Sequence, residues 1–293
     1  MNRLSKKEKF CYGLGDMSCN IIFAAISFYL LYYMISVAGL KPYLASLVFI
    51  ISKFWDAITD YFMGVISDKT NSKFGKRKVY MLFGSIPYGL IFILLWISPF
   101  NDATSQFVRF LYYTSVYMLF NTIWTIVYVP YNALTANMTQ DYDERTSLNG
   151  IRIILANIGM LFGAALFSLL SEGEGSILAQ AFHSVKTGYL VGAIIFGCLA
   201  AIIMLTCAFN VKERYVSEAT YSKPFFVTIK EFFKLKEFRS TMMYYLLSMV
   251  GFDIIMAVFL FFVNDALNFG SLNDSMLSMI FIAIPLVVAI ATA

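Results

Sequence analysis

The sequence predicts an all-α membrane protein, and three observations predict it. Of 293 residues, 59% are apolar and only 14% are charged, a balance outside the range of soluble domains. Apolar stretches of about twenty residues recur along the chain, each long enough to cross roughly 30 Å of hydrocarbon at about 1.5 Å per residue. These stretches are continuously apolar rather than alternating. That excludes strands, because a sheet edge in lipid leaves backbone groups without partners.

Eight spans follow in order. The first, 11–37, comes after Arg3, Lys6, Lys7 and Lys9, and its apolar run continues to Tyr29, Tyr32 and Tyr33 with no small-residue cleavage site. It is therefore read as an uncleaved helix and not as a signal peptide. The second, 43–67, carries Lys53, Asp56 and Asp60. Spans 79–99, 107–135, 147–171 and 186–210 complete a six-helix transmembrane bundle over residues 1–210. The longest polar connection, 211–240, is read as a cytoplasmic inter-bundle linker. Within it, 224–238 interleaves phenylalanines with Lys230, Lys234 and Lys236, which suits an interfacial helix and a plain connector equally. Spans 241–264 and 275–293 open a second bundle, 241–293. The last apolar run reaches Ala293 without a polar flank, so the sequence is expected to be truncated.

Seventeen of the twenty-two Lys and Arg residues fall on one side of this topology. Basic loops resist translocation, so the N-terminus is expected in the cytoplasm of a multi-pass protein of the inner or plasma membrane. The net charge of +4 follows from this asymmetry and calls for no nucleic-acid partner. Cys11, Cys19, Cys198 and Cys207 lie in or at the ends of spans with no close pairing, and His183 is the single histidine. Neither a disulfide framework nor a metal site is indicated, beyond a possible site for an alkali cation.

That exception is the second span. An ionised carboxylate buried at membrane depth costs several kcal/mol unless paired or coordinated. Asp56 and Asp60, spaced i, i+4, share one helix face about 6 Å apart and repel each other until a cation or a proton joins them. Thr59 adds a hydroxyl oxygen, and hard cations such as Na⁺ select oxygen. The competing reading is a local Lys53–Asp56 ion pair that fastens helices. It leaves Asp60 without a partner in its own helix. Beyond the span, Gly64, Asp68, Gly75, Lys76 and Arg77 form an ordered loop. There Gly64 is expected to permit close helix approach, Gly75 a tight turn, and Asp68 to accept from an arginine or a helix end. In the seventh span, Asp253 either faces the central cavity or pairs with Arg152 or Lys53.

The loop resembles the cytoplasmic signature of the major facilitator superfamily. Tyr12-Gly-Leu-Gly-Asp16, Trp55-Asp56-Ala-Ile-Thr-Asp60-Tyr-Phe-Met-Gly64, the Gly75-Lys-Arg loop and Val129-Pro130-Tyr-Asn-Ala-Leu134 narrow the match. With Asp143-Glu-Arg145 they are similar to the glycoside–pentoside–hexuronide:cation symporters, the melibiose permease-like group. The resemblance implies twelve helices in two bundles, alternating access, no cofactor, and uptake of a sugar driven by Na⁺, Li⁺ or H⁺, with a monomer in the lipid bilayer as the expected state. It implies Asp56, Asp60, Thr59 and Thr125 as cation ligands and Arg152 as a sugar-site arginine. The chain departs from the group's pattern with Asn20 and Tyr128 at two aspartate positions and Asn132 at a tryptophan position. Loss of two acids beside Arg152 is expected to leave that site more positive, which suits a hexuronide or another acidic glycoside, although asparagine and tyrosine also bind neutral hydroxyls. Asn20, Trp124, Tyr128 and Asn132 are expected to line the sugar path.

Rival classes are an intramembrane aspartyl protease, a cation-coupled lysolipid transporter, and an inactive sensor-like fragment. Gly13-Leu-Gly-Asp16 imitates the protease motif, but Asp16 sits near the inner end of the first helix, before its would-be partner acid. No enzyme is therefore expected.

Overall fold

A computed structural model describes residues 4–101, 103–173, 175–215 and 232–261, apart from the side chains of 252, 253, 256, 257 and 259–261. Helix α1 (Lys6–Ala25) starts at Ser5, whose hydroxyl accepts from the Glu8 N–H at 3.1 Å. It runs on through two π-helical turns, Ile26–Leu30 and Tyr33–Val37. Helix α2 (Pro42–Lys69) opens with proline in its first turn, where no N–H is missed. Helix α3 is Lys78–Leu95, and α4 (Gln106–Met138) is capped by Ser105 and contains Pro130. Helix α5 (Tyr142–Leu161) is capped by Asp141 and continues through a π turn, Phe162–Leu166, into α6 (Phe167–Ser171). The short α7 (Ile177–Phe182) precedes α8 (Val185–Asn210), and α9 spans Lys236–Phe261.

The first six expected spans each correspond to a helix, and α9 overlaps the seventh. The expected span 275–293 and most of the 224–238 segment lie outside the described residues. Among the described residues, four helices are long and apolar enough to cross a membrane: Lys6–Leu30, Lys78–Leu95, Tyr142–Ser171 and Val185–Asn210. Helices α2 and α4, with 28 and 33 residues, match them in length. What sets these two apart is polarity, since α2 holds Lys53, Asp56 and Asp60, and α4 holds Asn121, Thr125, Asn132, Thr135 and Asn137.

Helix α1 packs between α5 and α8, α3 packs between α4 and α8, and α2 rests on α4. The α1–α5 seam is close because Gly159 and Gly163, four residues apart, face the backbone of α1. A Cβ at either would run into the backbone of Met17 or Ile21. An aromatic cluster fills the bundle toward the end away from the basic segments. Trp96 stacks on Tyr189 at 5.5 Å, and Tyr33 lies 5.2 Å from Trp96 and donates to its carbonyl at 2.7 Å. Arg109, in the first turn of α4, is buried rather than loose in a loop, and its guanidinium donates to the carbonyls of Ala38 at 2.6 Å and Asn101 at 2.8 Å.

At the other end the basic segments converge. Glu144 accepts from the Leu4 N–H at 2.9 Å and sits 3.5 Å from Lys9 Nζ, while Arg214 meets Glu8 at 2.7 Å. The N-terminus, the α2–α3 loop, the α4–α5 turn and the segment after α8 thus share one end, as the alternation of spans requires. All four cysteines are free, in line with the sequence reading.

The α1–α5 seam gives a stability test. Gly159→Ala is expected to destabilise the folded chain by about 1–3 kcal/mol through overpacking, read as a lower melting temperature in detergent. Gly150→Ala, where nothing lies within 4 Å, is expected to cause no such drop.

Candidate functional site

Two neighbouring clusters of polar groups lie along α4. The first is where α2 meets it. Thr125, 1% exposed, brings its hydroxyl to 2.8 Å from Asp60 Oδ1 and 3.3 Å from Asp56 Oδ1. Thr59 donates to the Asp56 carbonyl at 3.0 Å and stands 3.5 Å from the Thr125 hydroxyl. Two carboxylates and two hydroxyls therefore converge, and one hydroxyl proton cannot neutralise two anions. This all-oxygen donor set is the kind that holds a hard monovalent cation or a shared proton. The sequence expected both acids to be buried, and here it needs correction: Asp56 is half-buried and Asp60 is exposed. The reason is topological, because among the described residues α2 packs chiefly against α4 and leaves its other flank open.

The second cluster joins α1, α4 and α5 around Arg152. Its Nε donates to Asp16 Oδ2 at 2.5 Å and its Nη2 to Asp16 Oδ1 at 3.2 Å, a two-pronged ion pair. Nη2 also donates to Asn132 Oδ1 at 2.6 Å, and Nη1 to Thr135 Oγ1 at 2.9 Å. The rings of Tyr12 and Tyr131 lie 5.3 and 5.1 Å from the guanidinium carbon, in cation–π range. Tyr131 adds a hydrogen bond to Asp16 Oδ2 at 2.8 Å, and Tyr12 donates to the Tyr131 carbonyl at 2.7 Å. The surplus positive charge expected at Arg152 is therefore absent, since Asp16, 7% exposed, balances it. Sequence reasoning named Asp16 in the family motif and weighed it as a protease acid, but did not pair it with Arg152. The signal that could have found it was the i, i+4 spacing of Asp16 and Asn20, which puts both on one face of α1.

Of the expected path residues, Asn20 donates to the Asp16 carbonyl at 2.8 Å, and Asn132 donates to the Tyr128 carbonyl at 3.2 Å. Trp124 and Tyr128 lie ring to ring at 5.2 Å, and Trp124 also meets Tyr88 at 5.8 Å. All four expected residues are half-buried, so each keeps a solvent-accessible part. The steps 124, 128 and 132 lie along one face of α4, and Thr125 adjoins the first of them. Asp253 lies in α9, with its side chain outside the described residues.

The expected loop residues divide, since Gly64 and Asp68 lie in the last turns of α2 and only Gly75, Lys76 and Arg77 in the connection to α3. Asp68 accepts from Arg77 Nη2 at 2.8 Å, as the sequence suggested, and Arg77 Nη1 also bonds the Ala133 carbonyl and reaches Asn137 Oδ1 at 3.2 Å. Gly75 turns with φ 109°, open to glycine and strained for other residues. Gly64 does not serve close approach, because no described neighbour comes within 4 Å of where a Cβ would be. The residue that sequence reasoning missed is Glu213. Its carboxylate accepts the backbone N–H groups of Lys76, Arg77 and Lys78 at 2.9, 2.9 and 2.8 Å, capping α3 from a position 135 residues or more away in sequence. Helix N-termini favour such anions.

Residues 11–293 match the family described as MFS/sugar transport protein. A putative glycoside/cation symporter of Escherichia coli is 31% identical over 222 residues, 74% of this chain and 45% of that protein. A putative sulfoquinovose importer of Salmonella typhimurium is 30% identical, covering 73% of this chain and 43% of the relative. The sodium-dependent lysophosphatidylcholine symporter 1 of Mus musculus is 30% identical, covering 76% and 46%. The chain spans about half the length of the curated relatives it matches. As the resemblance to the glycoside–pentoside–hexuronide:cation symporters implied, the chain belongs to the MFS/sugar transport protein family of the major facilitator superfamily, a family of transporters and not of enzymes.

Proposed function

We propose that this chain takes part in cation-coupled symport of a sugar or glycoside by alternating access. The observation that carries the reading is the convergence of Asp56, Asp60, Thr59 and Thr125 on one helix contact, beside polar and aromatic residues on the same α4. In this reading Na⁺ enters among the four oxygens and relieves the repulsion between the two acids, and a proton competes for the same pair. Trp124 and Tyr128 offer ring faces to the apolar side of a pyranose. Asn20, Asn132 and Arg152 meet its hydroxyls, and Asp253 of α9 belongs to the same path. A cation bound between α2 and α4 fixes α4, and so orders the sugar site a turn or two away. That is the link through which an ion gradient does work. One charge crossing about 100 mV supplies about 2.3 kcal/mol.

Residues 1–210 form the first bundle in this scheme, 211–240 the linker on the cytoplasmic side with the N-terminus, and 241–293 the start of the second bundle. The protein works as a monomer in the inner or plasma membrane. Gly64 and Asp68 at the end of α2, with Gly75, Lys76 and Arg77 of the connection that follows, make the switch segment, with Glu213 as its latch to the segment after α8.

A second reading, lysolipid transport, is favoured by the identity to the mouse symporter. It shares the cation site and differs in cargo, so uptake of labelled lysophosphatidylcholine without sugar uptake would establish it in place of the first.

Two outcomes test the proposal. Labelled glycoside uptake into proteoliposomes is expected to rise with a Na⁺ gradient, and Asp60→Asn is expected to abolish that stimulation while sugar counterflow survives; equal Na⁺ stimulation in the variant sinks the ion site. Because protons compete for the carboxylates, the Na⁺ concentration needed for half-stimulation is expected to rise as pH falls. In the loop, Glu213→Ala leaves three N–H groups of the α3 terminus without their acceptor. Loss of such a cap costs about 0.5–2 kcal/mol. Thermal melting in detergent is expected to register it, with Glu213→Asp retaining part of the effect.

A further inference from the structure

The Arg152 cluster carries an assignment beyond coupled transport. A guanidinium has five N–H donors, and four are committed here: two to Asp16, one to Asn132 and one to Thr135. Both ring contacts, with Tyr12 and Tyr131, are also taken. Asp16 Oδ2 in turn accepts from Tyr131 as well as from Arg152. A bidentate grip on an incoming carboxylate needs two parallel donors from one arginine; Asp16 holds the Nε–Nη2 fork, and Asn132 takes the Nη2 donor of the Nη1–Nη2 fork. The pair is not sealed off, since the Arg152 side chain keeps 16% of its surface and Asp16 keeps 9%. The remaining N–H is on Nη1, on the side of the guanidinium away from Asp16, and the pair as a whole carries no net charge. A neutral site with one donor from Arg152 and the amides of Asn20 and Asn132 nearby suits the hydroxyls of a sugar.

We propose that Asp16 sets the charge selectivity of this site: by occupying the fork of Arg152 it admits an uncharged glycoside or pentoside and turns away a sugar acid. The assignment rests on the sugar-transport reading and names its substrate class. Binding an acidic sugar would require its carboxylate either to displace Asp16, leaving a buried anion without its partner, or to bind beside it and add a second negative charge. Both routes carry a penalty that a neutral sugar avoids. Asp16→Asn keeps the size and removes the charge, so the fork faces one neutral carbonyl oxygen that an incoming carboxylate can displace.

The test is isothermal titration of the full chain in lipid nanodiscs with Na⁺ present, using methyl β-xyloside, methyl β-glucoside and methyl β-glucuronide. These share ring hydroxyls and differ at C5 in carrying hydrogen, a hydroxymethyl or a carboxylate. The wild type is expected to bind the better of the two neutral glycosides at least about tenfold more tightly than the glucuronide, a difference of about 1.4 kcal/mol. Asp16→Asn is expected to reverse or erase that preference, and Asp16→Glu to keep it. A wild type that prefers the glucuronide overturns the assignment. So does an Asp16→Asn protein with wild-type melting behaviour and an unchanged preference. Should Asp16→Asn fail to fold, the wild-type order and the Asp16→Glu result decide alone. If none of the three binds, the substrate class falls, whereas Na⁺-driven uptake of another glycoside would leave the transport reading standing.

Discussion

Charge at membrane depth has to be answered inside the protein, because no water is there to answer it. The Asp16–Arg152 pair is the plainest instance. It ties α1 to α5 through two hydrogen bonds, draws in α4 through Asn132 and Thr135, and is walled by Tyr12 and Tyr131. Three helices meet at one guanidinium, and their relative rotation is fixed by where its donors point. The close α1–α5 seam at Gly159 and Gly163 follows on the same two helices, and α1 carries its other face to α8. Replacing one partner would leave the other buried and unanswered, which is why both acid and base have to be read as one unit.

Much of this was legible in the sequence, and what was not has a physical reason. Composition and span length found the helices, since hydrocarbon thickness sets a length that any sufficiently apolar stretch must meet. The site on α2 was legible because Asp56 and Asp60 are anomalous there, and the i, i+4 rule alone puts them on one face. Their partner Thr125 came from family resemblance, because a threonine in an apolar helix has no signal of its own. Burial was misjudged for Asp60, as an exposed flank depends on which helices pack where and not on local sequence. Arg152 was found, but its balance was not: Asp16 lies 136 residues earlier, and the ion pair exists only through the α1–α5 packing. Glu213 was missed for the same reason, since nothing near it in sequence shows the three N–H groups that it meets.

The basic end shows how one stretch serves two purposes. Positive residues cluster there as the sequence reading expected of one side, yet the structure uses them selectively. Arg77 spans from Asp68 on α2 to the Ala133 carbonyl and Asn137 on α4, and Arg214 reaches Glu8 on α1. Lys78 donates to the Val211 carbonyl at 3.0 Å, and the Arg214 and Tyr215 N–H groups both reach the Asn137 carbonyl at 2.9 Å. The segment after α8 is thereby bonded to α1, α3 and α4 before the chain departs toward α9. A net count of loop charge would treat all these side chains alike; the hydrogen bonds separate those that hold helices together from those that only face solvent.

Pro130 lies in α4 between Thr125 and Asn132. Its ring has no N–H to return to the Ile126 carbonyl, so α4 lacks one rung of its ladder midway between the ion cluster and the arginine cluster. A rod with a missing rung transmits push along its axis while yielding in angle. The two clusters thus sit on either side of the point where α4 bends most readily, so a change of tilt between them costs less there than along an unbroken helix.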